Sequence, residues 1–161
     1  NELPFNYGGF VMKEGEKISS HIYIRHQKEL QTIYNKQQNL TDISGFINPA
    51  IAIKNFSMIA TGTDFFSYNQ FQKQAEEYRY KMAQHLNDLQ IEHISNIKPE
   101  NGGPPAVIDK HNWEKFPDFQ YRYTSVLNSL KQQPIPATSL VLWLIICIMA
   151  IEISGRKLKL I

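Results

Sequence analysis

The sequence lacks most of the features by which catalytic and nucleotide-binding proteins are recognised. It contains one cysteine, Cys147, so no disulfide can form within the chain. HExxH and CxxC motifs are absent, and so is a Gly-rich loop that ends in Lys-Ser or Lys-Thr. We therefore expect no cofactor, no metal centre and no nucleotide site in this chain, and no enzymatic activity of its own.

An excess of one charge is also absent. The chain has 17 basic and 15 acidic residues, which gives a net charge of +2. A nucleic-acid-binding protein would carry a dense basic face, so nucleic acid is not an expected partner. The chain begins with Asn1 rather than Met and shows no signal segment. We expect it to continue a longer polypeptide.

One long apolar run is present near the C-terminus. Residues 140–151, LVLWLIICIMAI, carry no charge, and extending the run to Ile135 and Ile153 gives about 19 residues. A helix rises about 1.5 Å per residue and the hydrocarbon core of a membrane is about 30 Å thick. The run therefore predicts a membrane-spanning helix over residues 135–154. The alternative, a buried core helix, would have to be enclosed on every side.

Charges beside this run predict its orientation. Arg156, Lys157 and Lys159 follow it, whereas Lys131 is the basic residue closest to its other end. Basic residues beside a span are retained on the cytoplasmic side. We expect residues 1–134 to form an extracytoplasmic helical domain and residues 155–161 a cytoplasmic basic tail. The predicted localisation is therefore a membrane, with the outer domain on its extracytoplasmic side.

Hydrophobic periodicity predicts three helices in the outer domain. Residues 12–39 carry apolar side chains at near-helical spacing, and residues 49–60 are mostly apolar after Asn48-Pro49, which suits a helix start. Residues 65–94 show the clearest stripe, with Phe71, Ala75, Tyr78, Met82, Leu86 and Leu89. We predict a mainly α fold: a long antiparallel helix pair, a short buried helix, irregular aromatic-rich loops and one C-terminal transmembrane helix.

Breaker residues separate these elements. Gly62 suits the left-handed position after a helix, and Thr63 or Asp64 suits the cap of the next helix. Residues 98–105, KPENGGPP, predict a loop. Residues 111–119 predict an aromatic packed loop, residues 120–133 allow a helix, and Gly155 is the expected end of the membrane helix.

Several side chains invite a functional interpretation beside a structural one. Thr63 and Asp64 could act as nucleophile and acid, or cap a helix, and we favour the cap. Tyr78 and Arg79 could bind a substrate carboxylate, although Tyr78 continues the apolar stripe. The aromatic segment around Trp113 could dock a partner or a sugar, or cover the helix pair, and we favour the second reading.

The five histidines raise the possibility of a metal site. His26 and Glu29 lie three residues apart and could share one face of a helix, whereas the spacing of His21 from His26 is poor for this. His85, Glu92 and His93 share another predicted helix. We expect these side chains to be exposed or hydrogen-bonded rather than metal ligands, and a membrane-anchored metalloenzyme remains a rival interpretation.

The ordered motifs of the chain resemble the DUF3526 family, which is found in bacterial ABC-2-type transporter permeases. The resemblance rests on Leu3 to Gly9, Asn48-Pro49 to Ser57, Gly62-Thr63-Asp64, Phe71, Ala75 to Arg79, Leu86-Asn87 and Trp113 to Pro117, followed by the terminal span. The motif residues for which we expect a structural role are Pro49, Ser57, Gly62, Thr63, Asp64, Phe71, Glu76, Tyr78, Arg79, Trp113 and Pro117.

The resemblance implies a permease subunit with a large extracytoplasmic domain ahead of its last membrane helix. An ABC ATPase would supply the energy from the cytoplasm, and a second permease subunit and the lipid bilayer would be further partners. We expect the Pro-bounded link at residues 131–139 to transmit movement between the span and the outer domain. The alternative function is a single-span, membrane-tethered binding or sensor domain.

Overall fold

The computed structural model describes residues 6–94 and 107–158, and within these ranges every regular element is a helix. The helices are α1 (Tyr7–Ser44), α2 (Pro49–Thr61), α3 (Phe65–His93), α4 (Lys110–Trp113), α5 (Val126–Gln132) and α6 (Pro134–Leu158). The predicted mainly α fold is confirmed. The loop predicted at residues 98–105 lies outside the described residues.

The chain divides into two compact units. The first comprises Asn1–Glu29 and Gln72–Tyr121, and the second comprises Leu30–Phe71 and Arg122–Ile161. The division falls inside α1 and α3, so each unit contains one part of both long helices.

In the first unit, α1 and α3 form the predicted antiparallel pair. The Asn6 side chain donates to the Ile94 carbonyl at 2.9 Å, and Gln27 Nε2 donates to Gln72 Oε1 at 2.6 Å. Residue numbers thus rise along α1 as they fall along α3. Amide side chains make both contacts, and Lys13 also pairs with Asp88 across the two helices, so polar groups help to join the pair.

The first turn of α1 is fixed by a cap and a close approach. Asn6 Oδ1 accepts from the Gly9 backbone N–H at 2.7 Å, which satisfies one of the open N–H groups of the helix start. A Cβ on Gly9 would lie 2.9 Å from Ile91 Cγ1 and 3.2 Å from the Ile91 nitrogen. The predicted start at residue 12 was too late, because α1 begins at Tyr7 and Gly9 lies inside the helix, packed closely against α3.

The predicted apolar stripe of α3 is partly buried. Leu89 is buried and Tyr78 is half-buried, whereas Met82 and Leu86 are exposed. Two long helices can enclose little more than the strip along which they touch, and the stripe is wider than that strip.

In the second unit, α2 packs against α5 and α6. Its buried residues, Ala52, Asn55 and Ile59, form one stripe at helical spacing, while Ile53 on the other side is 56% exposed. The helix begins as predicted, because Asn48 caps it and Pro49 occupies its first turn. It ends at Gly62, whose φ of 68° lies in the left-handed region.

The C-terminal half departs from the predictions in detail. Residues 111–119 include the end of the one-turn helix α4, capped by Asp109, and helix is confined to Val126–Gln132 within residues 120–133. The last helix starts at Pro134 and continues through Gly155 to Leu158, so Gly155 does not end it. A glycine makes a helix less stable, but the helix continues through it when the neighbouring residues favour helix.

α6 is long and apolar enough to cross a membrane, and it is the one such helix in the described part of the chain. Of its residues up to Lys157, two are buried, Pro136 and Ser139. A core helix would be buried along most of its length, so this exposure argues against the core-helix alternative.

Candidate functional site: the joint on the apolar helix

The first half of α6 is attached to the rest of the second unit at two levels. Gln133 Nε2, one residue before α6, donates to Asp64 Oδ1 at 2.7 Å. Trp143 Nε1, within α6, donates to the Gly45 carbonyl at 2.9 Å. We call these four residues, with Asp42 and Ser139, the joint.

Between these two levels the backbones approach closely. A Cβ on Gly45 would lie 3.1 Å from Ser139 Oγ and 3.4 Å from the Ala52 Cα. Ser139 is fully buried, and its hydroxyl donates to the Pro136 carbonyl at 3.0 Å. Small residues on both sides therefore allow the end of α1 and the start of α2 to lie directly on α6.

Asp64 caps α3 and at the same time anchors the start of α6. Its Oδ1 accepts from the backbone N–H groups of Phe66 at 2.9 Å and Ser67 at 3.1 Å, and its Oδ2 accepts from Ser67 Oγ at 2.6 Å. The Thr63 hydroxyl is exposed and pairs with the Thr61 hydroxyl at 2.9 Å. Asp64 is thus the cap residue of the two candidates, and its oxygens are engaged in structural hydrogen bonds rather than directed at Thr63.

Asp42 is a second buried carboxyl in the joint. Its Oδ1 accepts from Gln38 Nε2 at 2.9 Å and from Asn55 Nδ2 at 3.0 Å. Burial raises the pKa of Asp42, the Gln38 hydrogen bond lowers it, and the nearby Asp64 carboxylate raises it further. The neutral form of Asp42 is therefore favoured in the folded protein more than in an exposed carboxyl.

A pocket of about 490 Å³ opens beside the joint, between the end of α1, the start of α3 and the α5–α6 connection. Amide side chains supply most of its polar groups, among them Asn35, Asn69 and Gln132. Asp42 is its one ionisable lining residue, and Phe65 and Phe66 add apolar area. Such a lining offers both donors and acceptors but no cation, and it suits a neutral polar ligand better than an anion.

The first unit contains the motif pair Glu76 and Arg79. Arg79 donates to both oxygens of Glu76, at 2.8 and 2.7 Å, and to Glu16 Oε1 at 2.7 Å. These hydrogen bonds raise the pKa of the guanidinium still further above its ordinary range, Glu76 contributing more than Glu16. The guanidinium is therefore occupied by the protein's own carboxylates and joins α3 to α1.

Tyr78 lies under the aromatic segment that follows α4. Its ring centroid is 5.5 Å from that of Phe116 and 5.3 Å from that of Phe119, and Phe116 also stacks on His85 at 5.2 Å. Phe116 and Phe119 therefore cover part of the helix pair, as the structural interpretation expected. Trp113 is 58% exposed and does not take part in these ring contacts.

The remaining motif residues are placed as follows. Pro117 is exposed in the segment that carries these rings, and Phe71 is 44% exposed on α3. Ser57 is exposed on α2, and its carbonyl accepts from the Thr61 hydroxyl at 2.9 Å. None of these three lies in the joint.

Of the histidine and carboxylate pairs considered for a metal site, His26 and Glu29 come close together. His26 Nδ1 lies 3.4 Å from Glu29 Oε2, and both side chains are largely exposed. Within residues 6–94 and 107–158, no three side chains among His, Cys, Asp and Glu come together as a metal site would require.

Sequence reasoning missed Asp42, Gly45, Gln133, Ser139 and Trp143 as members of one site. Their partners lie up to 98 residues apart, as for Trp143 and Gly45, and no local pattern encodes such a pairing. A usable signal was present in two places. A Trp within an apolar run needs a partner for its indole N–H, and a Gly that ends a helix permits a close backbone approach.

Comparison with protein families gives one match. The model of a domain of unknown function, DUF3526, matches residues 1–122. No curated protein and no solved structure matches the chain. The matched range includes every motif residue singled out above and ends before α5 and α6.

Proposed function

The chain belongs to the DUF3526 family, and from that premise we propose that it is the membrane-anchored outer domain of an ABC-2-type transporter permease subunit. The observation that carries the proposal is the joint. It holds a folded helical unit directly on a helix that is long and apolar enough to cross a membrane. The resemblance of the ordered motifs to such permeases supplies the transport context.

In the proposed topology α6 spans the bacterial inner membrane over residues 135–154. Arg156 and Lys157 lie in its last turn, and Arg156 pairs with Glu152 at 2.5 Å. Lys131, on α5, is exposed near the other end. The basic end would be cytoplasmic, which places residues 1–134 outside the cell and residues 155–161 inside it.

The proposed partners follow from this topology. An ABC ATPase on the cytoplasmic side would hydrolyse ATP, because this sequence has no phosphate-binding motif of its own. The bilayer surrounds α6, and a second permease subunit would complete the path for the transported molecule. This chain contributes movement and contact rather than chemistry, so no catalytic residue is assigned.

The mechanism rests on how the joint resists bending. A single residue, Gln133, separates α5 from α6, and α2 lies along the first half of α6. Packed interiors do not deform continuously, so they move as bodies when one element is displaced. A tilt or shift of α6, driven from the cytoplasm, would therefore carry the rest of the second unit with it.

The partner assignment has a direct test. The full-length protein, tagged and extracted from its own membranes in mild detergent, should carry an ABC ATPase in near-equal amount, as quantified by mass spectrometry. Recovery of the intact protein without any ATPase would contradict the proposal. A tagged unrelated single-span protein of the same membrane is the control for non-specific capture.

A second candidate function is a tethered binding or sensor domain, and the amide-lined pocket beside the joint is the observation in its favour. The two candidates differ in the complete reading frame. Several spans upstream and a neighbouring ATPase gene support the permease. A lone anchor without a neighbouring ATPase gene supports the sensor.

A further inference from the structure

The two levels of the joint also place other parts of the second unit relative to α6. Gln133 and Trp143 are ten residues apart, a distance of about 15 Å along a helix. Of their partners, Gly45 lies at the turn of one segment, and Asp64 lies just beyond the C-terminal end of the same segment. That segment consists of the last turns of α1 from residue 38, the turn at residues 45–48, and α2 with its C-terminal cap. We call it the α1–α2 hairpin.

The position of the hairpin turn follows from the length of α6. The strictly apolar residues 140–151 would cover about 18 Å at the helical rise, too little for a hydrocarbon core of about 30 Å. The span therefore needs the residues from Ile135 onward. Trp143 then lies about 12 Å below the outer edge of the hydrocarbon. Gly45, bonded to Trp143, lies at the same depth.

We propose that the α1–α2 hairpin inserts into the outer leaflet of the bilayer beside α6, with Phe46 and Ile47 at its deepest point. This inference rests on the proposed span of α6. The occupant of the exposed hairpin surface is lipid, and the surface continues directly into the apolar surface of α6.

The exposed side chains of the hairpin agree with a lipid environment. Large apolar residues dominate its outer surface, and their exposed fractions are 71% for Leu40, 51% for Ile43, 39% for Phe46, 81% for Ile47 and 56% for Ile53. In water this apolar area would be costly, and contiguous patches of this kind mark interaction sites.

Charge is nearly absent over the same stretch. Between Lys36 and Lys54 the one ionisable residue is Asp42, and it is buried on the inner side. Lys54 is exposed on α2, about 7 Å above Pro49 at the helical rise. From this position the long Lys54 side chain can extend so that its ammonium group reaches the lipid headgroups, as lysines near membrane surfaces do.

The backbone of the turn meets the strictest requirement of a membrane interior, that no N–H be left open. From Gly45 to Ala52 every backbone N–H is bonded within the turn or by the Asn48 side chain, and Pro49 has none. The exposed hydroxyls nearby are satisfied too. Thr41 donates to the Gln37 carbonyl at 3.1 Å and Ser44 to the Thr41 carbonyl at 2.7 Å.

Spin labels on the full chain in lipid vesicles test the inference. In a Cys147→Ala background, single cysteines replace Ile47 at the turn, Leu144 on α6 and Asn128 on α5; all three positions are exposed, so the labels should be tolerated. Collision with oxygen, which concentrates in lipid, is compared with collision with a water-soluble nickel complex. The Ile47 label should resemble the Leu144 label, and the Asn128 label should show the opposite preference.

Each outcome has a distinct meaning. A lipid-like Leu144 label with a water-like Ile47 label overturns the insertion and leaves the span of α6 standing. A water-like Leu144 label overturns the span, and with it the proposed function. An Ile47 label protected from both reagents would mean that protein, such as a second copy of the chain, covers the turn, and this also overturns the assignment to lipid.

Discussion

Replacing Ser139 by Leu should weaken the packing of α6 against the rest of the second unit, whereas the same change at the adjacent Thr138 should not. Ser139 is fully buried against Gly45, and Thr138 is exposed. Both hydroxyls bond a carbonyl three residues earlier in α6, at 3.0 and 2.9 Å. The two substitutions thus remove the same kind of hydrogen bond and add the same side chain, and they differ in what the added carbons meet.

The expected magnitude follows from packing. Leu at residue 139 would push carbons into the space where even a Cβ on Gly45 would lie 3.1 Å from the Ser139 hydroxyl. Overpacking of a filled site costs about 1–3 kcal/mol. For a chain of this length each kcal/mol lowers the melting temperature by roughly 2–4 °C, so Ser139→Leu should lower it by about 2–12 °C. Thr138→Leu should leave it nearly unchanged.

Thermal unfolding of the purified full chain in one detergent, followed by far-UV circular dichroism, measures the difference. The emission of Trp143 should also shift to longer wavelength in Ser139→Leu, because the contact with the Gly45 carbonyl opens. The unchanged Trp113 contributes the same background to both variants. Equal melting temperatures for the two variants would refute the close packing at Ser139, and so would a larger loss for Thr138→Leu.

Three further predictions concern other contacts. Gly9→Ala should destabilise the protein by about 1–3 kcal/mol because the added Cβ meets α3, whereas Gly15→Ala, with open space around it, should stabilise it by about 0.5–1 kcal/mol. Urea unfolding measures both changes, and a change of the same sign in the two variants would contradict the close approach at Gly9. Asp64→Ala should lower the free energy of unfolding by about 1–2 kcal/mol or more because α3 loses its cap, and Thr63→Ala, at an exposed position, should lower it little. Equal losses of stability in thermal unfolding would refute the assignment of the cap to Asp64. Burial raises the pKa of Asp42, so the stability gained from its neutral form is complete below about pH 3.9, the ordinary pKa of Asp, and is lost as the pH rises through the higher folded-state pKa. Asp42→Asn should therefore be at least as stable as the unchanged protein at pH 7, and its free energy of unfolding should fall less between pH 4 and pH 7. A steeper fall in the variant would contradict the buried carboxyl.

Much of the fold could be predicted because it is encoded locally. The apolar run at residues 140–151 and the stripe of α3 are periodic over many residues, and Pro49 and Gly62 act through their own backbone preferences. The predictions were wrong at the start of α1, which lies at Tyr7, and at Gly155, which does not end α6. A glycine weakens a helix by about 1 kcal/mol, and neighbouring turns and tertiary contacts can outweigh that cost.

The joint could not be predicted from the sequence. Asp64 shows as a cap, but its second role needs Gln133, which lies 69 residues away and has no local signal. In the sequence Trp143 is one more apolar residue, and only the structure places its indole N–H on the Gly45 carbonyl. The exposure of Met82 and Leu86 was equally hidden, because a stripe predicts which face is apolar and not how much of it a neighbour covers.

The central claim is that movement of α6 is carried through the joint to the rest of the second unit. It is tested most directly by a spin label at Tyr68, an exposed position on α3, in the Cys147→Ala full-length protein reconstituted with the proposed ATPase partner. The label's spectrum should change when ATP is added, the change should persist in Thr138→Leu, and it should disappear in Ser139→Leu. A spectrum that ATP leaves unchanged in the intact protein, or an ATP response that Ser139→Leu leaves intact, would contradict the account.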